Sequence, residues 1–238
     1  MHNVVKVATW DGLMATFLGP QFVLARPTED IPLLLYRGQA DATWRLRTTL
    51  QRRFATSNAS VLPDVYQGML RMFKREFAGL GIDTPTFDTE SEIEWELFAR
   101  HHGLPSPILD WTRSPFIAAY FAFAAPPATA TEVSIYYLAV GHDDKGHGYE
   151  ILAPERSLQF NPRAIEQRAI PVRVLTLDRA LEDLLPGTLF QIDIPISQRL
   201  IALRQLDYMG INARTLFRDA DRAAETAALR YDEMEAVQ

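Results

Sequence analysis

The chain of 238 residues contains no cysteine. That absence removes disulfide frameworks, thiolate zinc sites, iron–sulfur clusters and every cysteine nucleophile, and it suits a reducing compartment. Basic charge is not in excess: 24 Lys and Arg against 30 Asp and Glu leave a net charge of −6. A general nucleic-acid coat would carry a basic surface, so only a local basic patch stays open. The longest apolar run lies between Phe116 and Pro127 and is about half the length a membrane helix requires. Met1 to Trp10 lacks the basic-then-apolar order of a secretory signal. These absences predict a cytoplasmic protein with no membrane partner. No repeat, P-loop, dinucleotide glycine fingerprint, G-x-S-x-G or H-E-x-x-H occurs. Chemistry, if any, must come from Ser, Thr, Tyr, His, Asp, Glu, Arg or a cofactor.

What is present builds a core. The residues are 47% apolar and 23% charged, which is the balance of a globular chain and not of a disordered one. Length favours a single domain over residues 1–238. Phe22–Ala25, Leu33–Tyr36, Glu132–Val140, Val172–Leu177 and Thr188–Ile194 read as strands. Arg37-Gly38-Gln39 follows the second of these, so the glycine predicts a turn at its end. Val65, Met69, Met72, Phe73, Phe77 and Leu80 recur three or four apart and predict a helix from Pro63 closed by Gly81. Ser91 and Glu94 have capping-box spacing and open a helix that stops at Gly103. Ser114-Pro115 starts another, apolar on every side to Ala125 and therefore buried. Ser197 is placed to cap a helix running to Met209, and Asp219 to Ala236 reads as a terminal helix. The order predicts an α+β fold with a mixed or antiparallel central sheet and helices grouped between the strands.

Four constellations carry the polar chemistry. In Tyr36-Arg37-Gly38-Gln39, an arginine at a strand end can aim five fixed donors at a phosphate, carboxylate or carbonyl. A structural arginine paired with a carboxylate has the same signature. His102-Gly103-Leu104-Pro105 running into Leu109-Asp110-Trp111-Thr112-Arg113-Ser114 reads as a polar loop between buried helices, close to a helix N-terminus, and suits an anion or nucleotide. Capping and local backbone bonding by Asp110, Thr112 and Ser114 explain it equally well. His142-Asp143-Asp144 with His147 has ligand types for a metal, but Lys145-Gly146 and Gly148 favour an exposed turn, so no metal is expected. Arg45, Arg47, Arg52 and Arg53 could hold a diphosphate or a nucleic-acid backbone, or lie over Trp44 and Leu50.

The first two constellations resemble the FRG domain, a family named for its (Phe/Tyr)-Arg-Gly motif. Tyr36-Arg37-Gly38-Gln39 with Trp44, Leu46, Leu50 and Arg52 resembles its opening, and Ala99–Pro105 leading to Leu109–Thr112 resembles its central signature. Pro115, Ala118, Ala119, Tyr120, Phe121 and Ala122 continue it. Asn161-Pro162-Arg163 with Gln167, and Gly210-Ile211-Asn212 with Leu216, Phe217 and Asp219, extend the resemblance to about Asp221. Ser106-Pro107 stands where the family usually has Thr-Arg, and Arg100 or Arg113 could supply the missing guanidinium. A more distant similarity links Arg37 and the Thr112-x-Ser114 stretch to elements of ADP-ribosyltransferases. That likeness implies NAD as cofactor, held by Arg37, Gly38, Gln39, His102, Asp110, Thr112 and Ser114. It implies catalysis by Arg37 with Glu166 or Gln167, a protein or nucleic-acid acceptor, and a toxin or antiphage role. The alternative is a non-catalytic module binding a nucleotide-like molecule or a protein. A nuclease using His142, Asp143, Asp144 and His147 ranks last.

Overall fold

A computed structural model of the protein describes residues 3–19, 33–82, 91–140, 148–152, 162–185 and 187–235. In chain order the elements are β1 (Asn3–Lys6), α1 (Trp10–Phe17), β2 (Leu33–Gln39), α2 (Thr49–Arg53), α3 (Leu62–Gly79), α4 (Glu92–His101), β3 (Ile108–Thr112), α5 (Pro115–Ala124), β4 (Glu132–Val140) and β5 (Tyr149–Ile151). They continue with α6 (Pro162–Glu166), β6 (Ala169–Val174), α7 (Leu181–Leu184), β7 (Leu189–Pro195), α8 (Arg199–Tyr208), α9 (Ala213–Phe217) and α10 (Ala220–Glu235). The fold is α+β, as the pattern predicts. Among the described residues seven strands form one sheet in the order β1-β7-β4-β2-β3-β6-β5. β1 runs parallel to β7, and every other pairing is antiparallel.

Strand alternation sends neighbouring side chains to opposite faces. Tyr36, Ile135 and Ile192 join Trp10, Phe123, Leu203 and Leu216 in one core, under α1, α5, α8 and α9. Leu35, Tyr136 and Leu138 join Leu109, Trp111, Val172 and Leu189 in the other. α5 starts where Ser114 Oγ accepts from the Ile117 N–H at 3.3 Å and Pro115 takes the first helical position. Its Ala118, Ala119 and Ala122 are fully buried. Their small side chains let the helix backbone lie directly on β2.

Three local expectations are corrected. β2 does not turn at Gly38 but continues through it to Gln39, with Gly38 opposite Ile135 of β4. The glycine is needed for packing: a Cβ there would sit 2.0 Å from the Ala118 carbonyl oxygen. The stretch around Asp110 is not a loop but strand β3, because Leu109 and Trp111 bury in the second core and β6 pairs with it along its whole length. Ser197 does not cap α8, because Ile196–Gln198 forms a 3-10 turn ahead of it. Gln198 stands in the cap position with its Oε1 accepting from the Trp10 N–H at 2.9 Å. Phe22–Ala25, His142–His147 and Asn161 lie outside the described residues. No described helix is long and apolar enough to cross a membrane.

Candidate functional site

The sheet is split at its centre. β2 pairs with β4 at every residue from Leu33 to Gln39, yet meets β3 at the single pair Tyr36–Thr112. Beyond that pair the strands part, and a cleft of about 950 Å³ opens between them. Residues 36–40 of β2 and its exit line one side and Asp110–Thr112 the other. Phe121 of α5, Gln167, and Phe217 of α9 contribute from the helical face, and Trp44, Arg45, Arg47 and Arg52 from the opposite end.

Arg37 spans the split. Asp110 lies opposite Pro171 of β6, whose carbonyl faces away from it and accepts from the Leu152 N–H. The Asp110 carbonyl faces the split and accepts from Arg37 Nη1. Arg37 Nε is buried and has no partner. Burial pushes this guanidinium down to about 10, with Asp110 opposing the shift and the Arg100 and Arg52 charges adding to it. It stays protonated at neutral pH.

The Asp110 carboxylate belongs to Arg100. Arg100 Nε donates to Oδ1 at 2.8 Å, Nη2 donates to Oδ2, and Nη1 donates to Ser106 Oγ at 3.0 Å. Burial alone would raise the Asp110 carboxyl, but the charge and hydrogen bonds of Arg100, with Arg37 and His101, hold it below its ordinary value. A carboxyl depressed by folding stabilises the native state above the unfolded carboxyl range and loses that contribution as pH falls. Asp110→Asn is therefore expected to lower stability at pH 7 by about 1–2 kcal/mol. That is less than a fully buried pair would cost, because the Asp110 side chain is 45% exposed. Urea denaturation at pH 7 and below pH 3 checks this: the difference from wild type shrinks on acidification.

The remaining expected residues divide. Gly38, Gln39, Thr112 and Gln167 line the cleft. Gln39 Nε2 donates to the Arg45 and Trp44 carbonyls at 3.3 and 3.4 Å and so fixes the loop carrying the arginines. Thr112 is engaged on both sides, donating to the Gln167 carbonyl at 2.7 Å and accepting from the Ser114 N–H at 3.1 Å. Ser114 caps α5 and is absent from the cleft lining. His102 ends α4 with its ring 4.5 Å from that of Phe98, also away from the cleft. Glu166 lies outside the lining as well, paired with Arg218. Its neighbour Gln167 faces in, with Nε2 donating to the Leu216 carbonyl at 3.2 Å. The structure thus brings Arg37, Gly38, Gln39, Asp110, Thr112 and Gln167 together and leaves His102, Ser114 and Glu166 apart.

The arginine cluster that the sequence presents separately joins the same cleft. Arg45 is neutralised by Glu182 and Asp183. Arg52 donates to the Arg47 carbonyl at 2.6 Å, and burial with the Arg100 charge lowers its guanidinium. Arg47 has no carboxylate partner among the described residues. Arg53 lies over the Phe54 ring instead. The aromatic walls at Phe121 and Phe217 carry no sequence signal for this place, since two distant helices bring them together. No group of three or more His, Asp and Glu suited to a metal occurs among the described residues.

Fold and site define an α+β protein whose single sheet is split by a cleft with basic and aromatic walls. Residues 33–131 match the family model of the FRG domain. The match takes in Arg37, Arg100, Asp110 and α5, and it ends before β4, whereas Gln167 and Phe217 lie beyond it. No curated protein and no solved structure gives a significant match.

Proposed function

We propose that the cleft binds the diphosphate of a nucleotide, with an NAD-like dinucleotide as the ligand. One observation carries this reading. Arg37, Arg52 and Arg100 lie within electrostatic reach of one another against the single carboxylate of Asp110, while Arg37 Nε stays buried and unpartnered. Arg37 and Arg100 hold two guanidinia partly out of bulk water against that one carboxylate, with the exposed Arg52 beside them, and an anion offsets the cost. Arg37 and Arg52 would hold the phosphates, with Arg47 beside them. Phe121, Phe217 and Trp44, the last 49% exposed, offer flat faces for the rings of a dinucleotide. The volume lies within the usual range for small-molecule sites. Calorimetric titration with NAD, ADP and nicotinamide riboside tests this reading: NAD and ADP are expected to bind and the phosphate-free riboside not to. Equal affinity for the riboside, or binding by none of them, contradicts it.

A second reading, ADP-ribosyl transfer, is favoured by Asp110 and Gln167 facing one cleft. NAD would supply an activated ADP-ribosyl group with nicotinamide as its leaving group. Gln167 Oε1 would accept from a ribose hydroxyl, and Asp110, its carboxylate held by Arg100, would contact the acceptor. Mass spectrometry of the protein incubated with NAD and cell lysate tests it: nicotinamide release or a mass gain on an acceptor, abolished in Gln167→Ala, is expected. Absence of both leaves a nucleotide-binding module.

A further inference from the structure

We infer that Arg100 is a positioning residue that keeps the Asp110 carboxylate off Arg37 and so leaves Arg37 free for an anionic ligand; this rests on the nucleotide reading of the cleft. The cluster offers Asp110 two guanidinia. Its carboxylate oxygens both go to Arg100, through the 2.8 Å Nε bond and the Nη2 bond, while Arg37 receives only the main-chain carbonyl of the same residue. Arg100 is itself fixed. Its side chain is 13% exposed, it does not line the cleft, and its third nitrogen donates to Ser106 Oγ on a residue that is fully buried. Planar bidentate pairing of this kind is specific to arginine and resists rearrangement.

Removal of Arg100 leaves two basic groups acting on Asp110: His101, which burial holds neutral at pH 7, and Arg37, the one remaining guanidinium that stays charged there. A carboxylate on Arg37 occupies the donors a phosphate needs and cancels its charge. The same logic explains why an acid can face a phosphate site without repelling the ligand: its charge is already spent on the far side. Ser106 is part of the device, because its hydroxyl sets the rotation of the Arg100 guanidinium about the Asp110 carboxylate.

The test is ADP titration of wild type, Arg100→Gln, Arg100→Lys and the double variant Arg100→Gln/Asp110→Asn, each with a melting curve. Arg100→Gln is expected to weaken ADP at least tenfold, and the double variant to recover most of that loss, since asparagine cannot neutralise Arg37. Arg100→Lys keeps the charge without the bidentate fork and should fall between. Unchanged affinity in Arg100→Gln, or no recovery in the double variant, overturns the inference. A crystal structure of Arg100→Gln decides it independently of any ligand. Asp110 turned onto Arg37 supports it, and Asp110 in its wild-type place refutes it. Failure of wild type to bind ADP refutes the nucleotide reading and is distinguishable from both.

Discussion

Gly38→Ala is expected to cost more than about 3 kcal/mol and to deprive the cell of most of the folded protein. The added Cβ would lie 2.0 Å from the Ala118 carbonyl oxygen, 2.6 Å from the Ala122 nitrogen and 3.0 Å from the Ala118 carbonyl carbon. All three are backbone atoms of α5, so no side-chain rotation relieves the overlap. The helix cannot retreat alone either. Its Ala118, Ala119, Ala122 and Phe123 are wholly buried, and Phe123 packs edge-on to Trp10 of α1. Displacement of α5 would also move Phe121 and open the cleft wall. Gly68→Ala serves as the contrast. That glycine lies inside α3 with nothing within 4 Å of the added carbon, so the substitution should stabilise the protein by about 0.5–1 kcal/mol. Chemical denaturation of the two variants reads both effects.

Gly38 also shows where sequence reading stops. A glycine after an apolar run signals a turn, and nothing local distinguishes that case from a glycine demanded by a helix eighty residues on. Elements with local causes were legible: the start of α5 at Ser114-Pro115, the amphipathic α3, and the long apolar β4. The prolines, Asp110 and Thr112 around β3 read as loop chemistry. That segment is a strand because Leu109 and Trp111 bury and because β6 pairs along it, both tertiary effects. At the site, Arg37 and Asp110 were each legible as candidate residues. The atoms that meet were not, since Arg37 takes a carbonyl and Arg100 the carboxylate. Glu166 and Gln167 are adjacent in sequence, and the chain's path at the end of α6 turns only Gln167 toward the cleft.

Arg37→Met is expected to abolish nucleotide binding without unfolding the protein. A charge-assisted hydrogen bond is worth about 1.5–3 kcal/mol, so loss of two to a diphosphate weakens binding at least about 100-fold. Stability should stay within about 1 kcal/mol of wild type. The substitution forfeits one bond to the Asp110 carbonyl, but it also removes a part-buried guanidinium whose buried Nε has no partner. Asp110 is not stranded, because Arg100 still holds its carboxylate. An arginine that served only the fold would behave differently, since its loss would leave a buried charge unpaired at about 3–5 kcal/mol.

The most direct measurement is a calorimetric titration of NAD into wild type and Arg37→Met, with a thermal melt of each. The account predicts saturable binding to wild type, none measurable to the variant, and melting temperatures that differ little. Equal binding by both proteins, or a variant that binds nothing because it no longer folds, would contradict it.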